Sequence, residues 1–304
     1  MRRHPILLSF LVVFLILFFL AGVFVVVVAL TGGDGAKWLP LGDIAIVEIE
    51  GPIFDSTDII KELHRYGENS SIKAVVLRID SPGGAVAPSQ EIFEEVKKLK
   101  KTKKVVVSLG TVGASGAYYI ACAADKIIAS PGTITGSIGV IMESMSFHEV
   151  LKWARLENRV IKSGEYKDVG SPFREMLPGE RAYLQAILDN MYGQFKNAVA
   201  ENRGFSQEQI DLIAEGKIYT GEQAMTQKLV DGLGTLYDAI DEAKKLAGLS
   251  PDARVIWPRK DKFPFESLLF DSMEKNSLEH FVKKYFHGMD APVWLYSMNP
   301  LKID

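Results

Sequence analysis

A single serine stands among small residues in the stretch TVGASGAYYIA, from Thr111 to Ala121. A β-branched run precedes Ser115, and a mildly apolar, helix-like segment follows it. Two interpretations are open at this stage. Small residues allow a helix to approach a sheet closely, which would make Ser115 a packing residue. Alternatively, Ser115 is a nucleophile whose neighbours stay small so that a substrate backbone can reach its hydroxyl.

A serine nucleophile needs a base that accepts its proton and donors that hold the oxyanion. None of the histidines lies in a glycine-rich loop at the end of a strand-like run; they are His4, His64, His148, His280 and His287. The esterase pattern is incomplete, because Ala117 stands where that pattern has glycine. The sequence contains no HExxH motif, which disfavours metal-assisted hydrolysis. A Ser–His–Asp triad is therefore disfavoured, although the sequence leaves it open.

Lysine is the alternative base. An exposed lysine amine has a pKa of about 10.4, so it accepts a proton near neutral pH only where burial or a subunit interface lowers that pKa. Most lysines are solvated, and composition does not indicate which of them is buried.

The elements around Ser115 alternate between strand-like and helix-like runs. The predicted strands are IAIVEIEG, the run before DSPGG, KKVVVSLG and KIIAS. The predicted helices are Asp58–Tyr66, Pro88–Lys101 with Ser89 as N-cap, the Ser115 helix, Ser146–Leu156, Gly179–Arg203, Ser206–Ala214, Gly221–Gln227 and Leu236–Leu246. This alternation predicts a mainly parallel sheet covered by helices, with ligands at loops after the strands' carboxyl ends. DSPGG, GTVGAS and GTITGS occupy such positions.

The overall composition excludes several classes of protein. The chain has 304 residues, 47% of them hydrophobic, and a net charge of −3. It therefore lacks the basic surplus that nucleic-acid binding needs. The single cysteine, Cys122, excludes a disulfide within the chain and a structural zinc site built on several thiolates. Cys122 lies in an apolar run, which predicts a buried, inert thiol.

The apolar excess is concentrated at the start of the chain. Residues 6–30 contain no charge and exceed the roughly 20 residues that a bilayer span needs. Arg2 and Arg3 precede this run, so the positive-inside rule predicts a cytoplasmic N-terminus and an extracytoplasmic remainder. A long cleaved signal peptide is the alternative, and it places the remainder on the same side.

Four motifs occur in order: DSPGG, GASGAYYIA, TGSIGV and SGEYKDVGSPFREM. Together they resemble the signal peptide peptidase A family, membrane-anchored serine–lysine proteases with a Clp-protease/crotonase-like fold. The resemblance extends from about Asp43 to Leu246 and is to the short, single-domain form. It implies an α/β fold with repeated β-β-α units, preceded by one transmembrane helix.

The resemblance implies that Ser115 is the nucleophile, Lys167 the general base and Ser137 the residue that orients the lysine amine. A dry pocket would favour the neutral form of Lys167. If the segment is extended, Tyr166 and Asp168 point to the opposite face, so Asp168 need not pair with the amine. Ser137 has a plainer interpretation as a turn serine.

The resemblance also implies that Gly83 and Gly84 provide an oxyanion-hole N–H and line the substrate strand, with Gly116 providing the second N–H. Glycines suit both tasks because they expose backbone without a side chain in the way. A tight turn is the plainer interpretation of SPGG. Tyr118 and Tyr119 are expected to pack the helix rather than contact substrate.

The expected domains are a cytoplasmic N-terminus (1–5), an anchor (6–30), a linker (31–42), a peptidase domain (43–250) and a tail (251–304) that is either docked or loosely ordered. The resemblance implies a cell-membrane endopeptidase that cuts remnant signal peptides, and other unfolded peptides, through an acyl-enzyme, without a metal or organic cofactor. It also implies a homo-oligomeric ring or dome in which neighbouring subunits can complete the dyad. A crotonase-like acyl-thioester enzyme and a non-catalytic membrane scaffold remain alternatives.

Overall fold

The computed structural model describes residues 14–23, 42–258 and 295–297. The chain divides into two compact units, residues 1–41 and residues 42–304. In the first unit, residues 14–23 form helix α1, whose large apolar side chains are exposed. The rest of the predicted anchor, 6–13 and 24–30, lies outside the described residues, as does the predicted N-terminus 1–5. Within the described ranges, no helix has both the length and the apolar content that a bilayer span requires.

The second unit contains short and long strands alternating with helices. The strands are β1 (Ile44–Glu50), β2 (Ala74–Ser81), β3 (Gly83–Ala85), β4 (Lys104–Ala114), β5 (Lys126–Ala129), β6 (Ile134–Gly136), β7 (Ile218–Thr220), β8 (Gly232–Leu233), β9 (Val255–Ile256) and β10 (Leu295–Ser297). The helices are α2 (Thr57–Glu68), α3 (Val86–Lys100), α4 (Gly116–Ala121), α5 (His148–Trp153), α6 (Pro178–Arg203), α7 (Gln207–Ile213), α8 (Gly221–Thr226) and α9 (Leu236–Leu246). A 3₁₀ helix occupies Glu165–Asp168.

The main sheet has the order β7-β6-β4-β2-β1-β9, with β5 paired to β4 and β8 paired to β5. Its pairings are parallel except β6 with β7. The prediction of a mainly parallel sheet is therefore confirmed. β3 and β10 form a separate antiparallel pair.

β4 is the strand that leads to Ser115, and its two halves have different neighbours. Val106–Leu109 pair with β5, whereas Val112–Ala114 pair with β6. The Asp80 carboxylate accepts the Val112 N–H at 3.1 Å where the strand changes partners. A Cβ on Gly110 would lie 2.7 Å from that carboxylate, so a side chain at this position would displace Asp80. The far half of β4 thus stays in the main sheet but exchanges β5 for β6 as its neighbour.

Apolar side chains cover both faces of the sheet, as the continuous apolar strands predict. Ala45, Val47 and Ile49 belong to the larger core cluster, together with residues of α2, α3, α4 and α6. Ile44 and Ile46 belong to the smaller cluster, which α9 covers. Burying each such large aliphatic side chain stabilises the fold by about 1.5–3 kcal/mol.

Two predicted helix starts are wrong. α3 begins at Val86 rather than Pro88, because β3 runs directly into the helix. Ser89 is not its N-cap; it lies inside the helix and donates to the Ala85 carbonyl at 2.9 Å. α5 is shorter than predicted because none of its residues is buried, and a short helix without a packed face is marginal.

Candidate active site

Ser115 lies between the end of β4 and the first residue of α4. Its backbone has φ 55° and ψ −121°, a conformation that L residues rarely adopt. Its amide donates to the Gly136 carbonyl at 2.8 Å, and its own carbonyl accepts the Tyr119 N–H at 2.8 Å. These bonds at both ends of the residue hold the strained turn in place.

The side chain of Ser115 is only 1% exposed, and its Oγ has no hydrogen-bond partner among the described residues. Buried hydroxyls are nearly always hydrogen-bonded, so an unpartnered one on a strained backbone marks a functional site. The strand–turn–helix geometry is that of a nucleophile elbow, although the sequence lacks the usual second glycine.

α4 is held in place by its aromatic residues. The Tyr118 hydroxyl donates to the Leu229 carbonyl at 2.8 Å from a fully buried position. The Tyr119 ring lies 4.6 Å from the Phe93 ring and 5.0 Å from the Phe195 ring, centroid to centroid. Both tyrosines thus pack the helix against its neighbours, as expected.

Cys122, just after α4, is buried, and burial raises the pKa of its thiol to about 12. It is therefore the buried, inert thiol that the sequence predicts.

Ser137 is brought next to Ser115 by the turn after β6. Gly136, whose carbonyl binds the Ser115 amide, has φ 80°, and Ser137 has φ 53°. A Cβ on Gly136 would lie 2.9 Å from the Lys217 carbonyl, and that same carbonyl accepts the Ser137 N–H at 2.7 Å. The Lys217 carbonyl therefore fixes both residues of the turn. No local pattern indicates the role of this carbonyl, since only the fold brings β7 beside β6.

Gly83 and Gly84 form β3, which lies beside α4. Ser81 pairs with Gly113 in the parallel register of β2 and β4, which places this loop next to the residues that precede Ser115. Ile53 occupies one edge of β3: its N–H donates to the Gly83 carbonyl and its carbonyl accepts the Ala85 N–H. A Cβ on Gly84 would lie 2.1 Å from the Ile53 carbonyl oxygen, so no side chain fits there.

The amides of this loop are not equivalent. The Gly83 N–H already donates to the Ser81 Oγ at 3.1 Å, a contact that the sequence did not indicate. Gly116 is the first residue of α4, where the amide is not used by the helix's own hydrogen bonds. Because the Gly83 carbonyl and the Ala85 amide bond with Ile53, the Gly84 amide points to the opposite edge of β3.

The other edge of β3 carries a strand from the end of the chain. β10 pairs with it antiparallel, with Tyr296 opposite Gly84 and Ser297 opposite Gly83. β10 also lies beside α3 and α4. This part of the tail is thus docked, and it runs along the loop beside Ser115 in the manner of an added strand.

Lys167 lies in the 3₁₀ helix Glu165–Asp168 and is exposed in the single chain. Among the described residues it forms no hydrogen bond with Ser115 or Ser137. The segment is not extended, because the Lys167 amide donates to the Gly164 carbonyl and the chain turns. The Asp168 carboxylate forms ion pairs with Lys162 and Arg174 and not with the Lys167 amine.

The carboxylates near this turn are strongly held in their ionised form. Hydrogen bonds from Arg174 and Lys162 hold the pKa of Asp168 well below its ordinary value. Hydrogen bonds from Arg174 and the Leu177 amide lower the pKa of Glu180 to about 2. The same two carboxylates raise the pKa of Arg174. This ion-pair cluster stays charged at any pH near neutrality.

The described histidines lie away from Ser115. The side chain of His64 is exposed on α2, and His148 begins α5. His148, Glu149 and Glu175 bring potential metal-ligand atoms within 4.8 Å of one another at the surface. Glu149 also pairs with Lys152 at 2.9 Å, so ion pairing accounts for this cluster. Three histidines lie outside the described residues: His4, His280 and His287.

Comparisons with known proteins agree with this geometry. The model of peptidase family S49 matches residues 97–250, a range that includes Ser115, Ser137 and Lys167. The Clp protease model matches residues 41–135, which include Ser115 and the Gly83–Gly84 loop. The fold and the strained, buried serine thus define a serine protease with a Clp-protease-like α/β fold.

Individual proteins similar to this chain are also named as proteases. A putative protease of Synechocystis sp. is 46% identical over 211 residues, 69% of this chain and 76% of the relative. A putative protease of Methanocaldococcus jannaschii is 41% identical over 64% of this chain and 63% of the relative. A putative signal peptide peptidase of Enterococcus faecium is 34% identical over 70% of this chain and 62% of the relative. The chain belongs to peptidase family S49, as its motifs predicted.

Proposed function

We propose that this protein is a serine endopeptidase that uses Ser115 and Lys167 as a catalytic dyad. The observation that carries the proposal is the buried, unpartnered Ser115 hydroxyl on a strained turn between β4 and α4. In the proposed reaction, the Ser115 Oγ attacks the scissile carbonyl while the Lys167 amine accepts its proton. Lys167 then protonates the leaving amine, and water releases the acyl group from Ser115. Ser137 orients the lysine.

The oxyanion is stabilised by the backbone amides of Gly84 and Gly116. One oxyanion-hole donor contributes about 2.7–4 kcal/mol to transition-state stabilisation in comparable enzymes. The Gly83 amide has a different task, because it donates to Ser81 and so shapes the loop. The proposal therefore assigns Gly83 to loop geometry and Gly84 to the oxyanion.

The proposed substrate is an extended peptide that adds a strand to β3. The antiparallel pairing of residues 295–297 with β3 supports this mode, because it demonstrates that the edge accepts a peptide backbone. The Enterococcus faecium relative is named a putative signal peptide peptidase, which supports remnant signal peptides as the substrate class. An anchor at residues 6–30 would hold the peptidase domain at the cell membrane, where such peptides are released.

The dyad is proposed to be completed by assembly of identical subunits. Lys167 is exposed in the single chain, and so are large apolar side chains of the same region. These include Trp153 at 87%, Ile161 at 103% and Leu156 at 61%. A neighbouring subunit that covers them would remove water from the lysine and favour its neutral form.

A fluorophosphonate probe tests the nucleophile, and peptide hydrolysis tests the base. We expect the probe to label the wild type at Ser115 and to label neither Ser115→Ala nor any other serine. Lys167→Ala should reduce peptide hydrolysis by about 10²–10⁴-fold. Equal rates for wild type and Lys167→Ala would remove the proposed base. Absence of serine labelling would favour a scaffold or a thioester enzyme.

Mixing variants tests whether the dyad crosses subunits. Ser115→Ala chains and Lys167→Ala chains are each expected to be inactive alone. If neighbouring subunits complete the site, co-assembled chains contain some sites with both residues, and activity returns. A mixture that stays inactive at every ratio would place both residues of the dyad in one chain.

A further inference from the structure

The turn that carries Lys167 has little apolar packing of its own. None of its residues, Glu165 to Asp168, is buried. Lys162 donates to the Glu165 carbonyl at 2.7 Å and to the Asp168 carboxylate at 2.5 Å. The Tyr166 ring lies 5.1 Å from the Tyr183 ring of α6. Polar contacts must therefore determine where this turn lies.

Arg174 makes the largest set of those contacts. Its Nε donates to the Asp168 Oδ2 at 2.9 Å and its Nη2 to the Asp168 carbonyl at 3.2 Å. Nη1 and Nη2 donate to the two carboxylate oxygens of Glu180 at 2.7 and 2.5 Å. Nη1 also donates to the Glu175 carbonyl at 3.0 Å. A guanidinium has five N–H donors, and these five bonds account for all of them.

Glu180 is the partner of Arg174 that is fixed in a buried part of the protein. It is only 3% exposed and lies in the first turn of α6, where its carboxylate also accepts the Leu177 N–H at 2.9 Å. Farther along α6, Leu184 and Phe195 are buried. Arg174 therefore connects the exposed Lys167 turn to a helix that is anchored in the protein core.

We propose that Arg174 is a positioning residue for the peptidase reaction: its guanidinium fixes the Lys167 turn against the first turn of α6. The inference rests on the proposed role of Lys167 as base. Arg174 acts through that lysine and does not touch the peptide. Without it, the turn loses its connection to α6 at Asp168, and the lysine amine samples many positions.

Lysine cannot replace arginine in this role. A guanidinium presents parallel N–H groups to a carboxylate, whereas an ammonium is a point charge that cannot hold two carboxylates and two carbonyls in one plane. Arg174→Lys should therefore behave like Arg174→Gln in catalysis, although it keeps the charge. Arg181 supplies a matched control, because it lies one residue beyond Glu180, is exposed, and has no ion pair among the described residues.

The test is steady-state peptide hydrolysis by the full chain across pH, with circular dichroism as a check on folding. For Arg174→Lys and Arg174→Gln we expect kcat to fall by about 10–100-fold with KM changed less than about threefold, because a misplaced catalytic group costs rate rather than binding. The acid limb of the kcat profile should move to higher pH, since a looser turn leaves the base more hydrated and more readily protonated. Arg181→Gln should match the wild type.

A second variant covers the case in which Arg174 variants fail to fold. Asp168→Asn weakens the connection at the turn and leaves the pairing of Arg174 with Glu180 intact. It should lower kcat by a smaller factor and move the acid limb in the same direction. Folded Arg174→Lys and Asp168→Asn proteins with wild-type kcat and pH profile would overturn the proposal.

The Lys167→Ala variant separates this inference from the proposed function. If Lys167→Ala hydrolyses peptide at the wild-type rate, the dyad itself is wrong. If Lys167→Ala is inactive while the Arg174 and Asp168 variants keep kcat and pH profile, the dyad stands and only the positioning role fails.

Discussion

Ser115 carries two local energetic costs. A non-glycine residue in a rare backbone conformation costs about 1–3 kcal/mol, and an unsatisfied buried hydroxyl costs about 1–3 kcal/mol. The surrounding hydrogen bonds, Ser115 amide to Gly136 and Tyr119 amide to Ser115, keep the residue there nonetheless. A serine that served only to pack the helix against the sheet would need neither the strained backbone nor the unpaired hydroxyl. The role of nucleophile is therefore the better interpretation of Ser115.

We expect stability and activity to change independently in Ser115→Ala. Removing the unpartnered hydroxyl should leave the free energy of unfolding unchanged or raise it by up to about 1 kcal/mol, while hydrolysis is lost. Thr135→Val is the control, because the buried Thr135 hydroxyl donates to the Gly113 carbonyl at 2.6 Å and its loss should destabilise the protein by about 1–3 kcal/mol. Urea unfolding measures both. A Ser115→Ala protein destabilised as much as Thr135→Val would contradict the prediction.

Gly84 must be glycine because the Ile53 backbone occupies the space of a side chain. Gly84→Ala would place a methyl group 2.1 Å from the Ile53 carbonyl oxygen, so β3 must move relative to Ile53 and the loop beside Ser115 is displaced. We expect peptide hydrolysis to fall by about 10²-fold, the usual cost of an ångström-scale misplacement. Gly132→Ala is the matched control, because a Cβ there meets no atom within 4 Å. Equal kcat/KM for the two variants would show that the packing of Gly84 against Ile53 does not matter for catalysis.

At the scale of elements, ion pairs of Arg174 with Asp168 and with Glu180 connect the Lys167 turn to the start of α6. Glu180 has a pKa of about 2 in the folded protein and an ordinary value of 4.5, so the unfolded chain binds more protons between those values. The contribution of Glu180 to stability is therefore complete above about pH 4.5 and is lost as the pH falls toward 2.

That linkage gives a measurable pH dependence. Thermal unfolding between pH 5 and pH 2 should show a steeper loss of stability for the wild type than for Glu180→Gln, which cannot titrate at this position. The acid loss should also be shallower in Arg174→Gln, because the partner that lowers the pKa of Glu180 is gone. Parallel pH curves for wild type and Glu180→Gln would show that the cluster does not stabilise the fold.

At the scale of the whole molecule, the end of the chain occupies the edge at which we propose that substrate binds. β10 pairs with β3 and lies beside α4, so a peptide bound at this edge would compete with the tail for the same backbone groups.

We therefore expect a chain that ends at residue 258 to have a lower KM for peptide than the full chain, with kcat little changed. Tyr296→Pro in the full chain should have the same effect in part, because proline at this position cannot donate a ladder hydrogen bond. Initial-rate kinetics on one peptide across the three proteins measures the competition. Identical KM values would indicate that the tail strand does not block substrate.

The sequence by itself determined the family and the elements. The motifs around Ser115, Ser137 and Lys167 predicted the family, and the alternating apolar runs predicted a mainly parallel sheet, because both signals are local in the chain. Local patterns also produced the errors: Ser89 had the type of an N-cap but lies within α3, and the Lys167 segment turns instead of extending.

The tertiary structure alone decided how the site is assembled. The strained backbone of Ser115, whose amide binds the Gly136 carbonyl, and the Lys217 carbonyl that fixes Ser137 depend on segments far apart in sequence. The pairing of β10 with β3 joins residues more than 200 positions apart. Such contacts are selected by packing and hydrogen bonding in the folded chain, which no local pattern encodes.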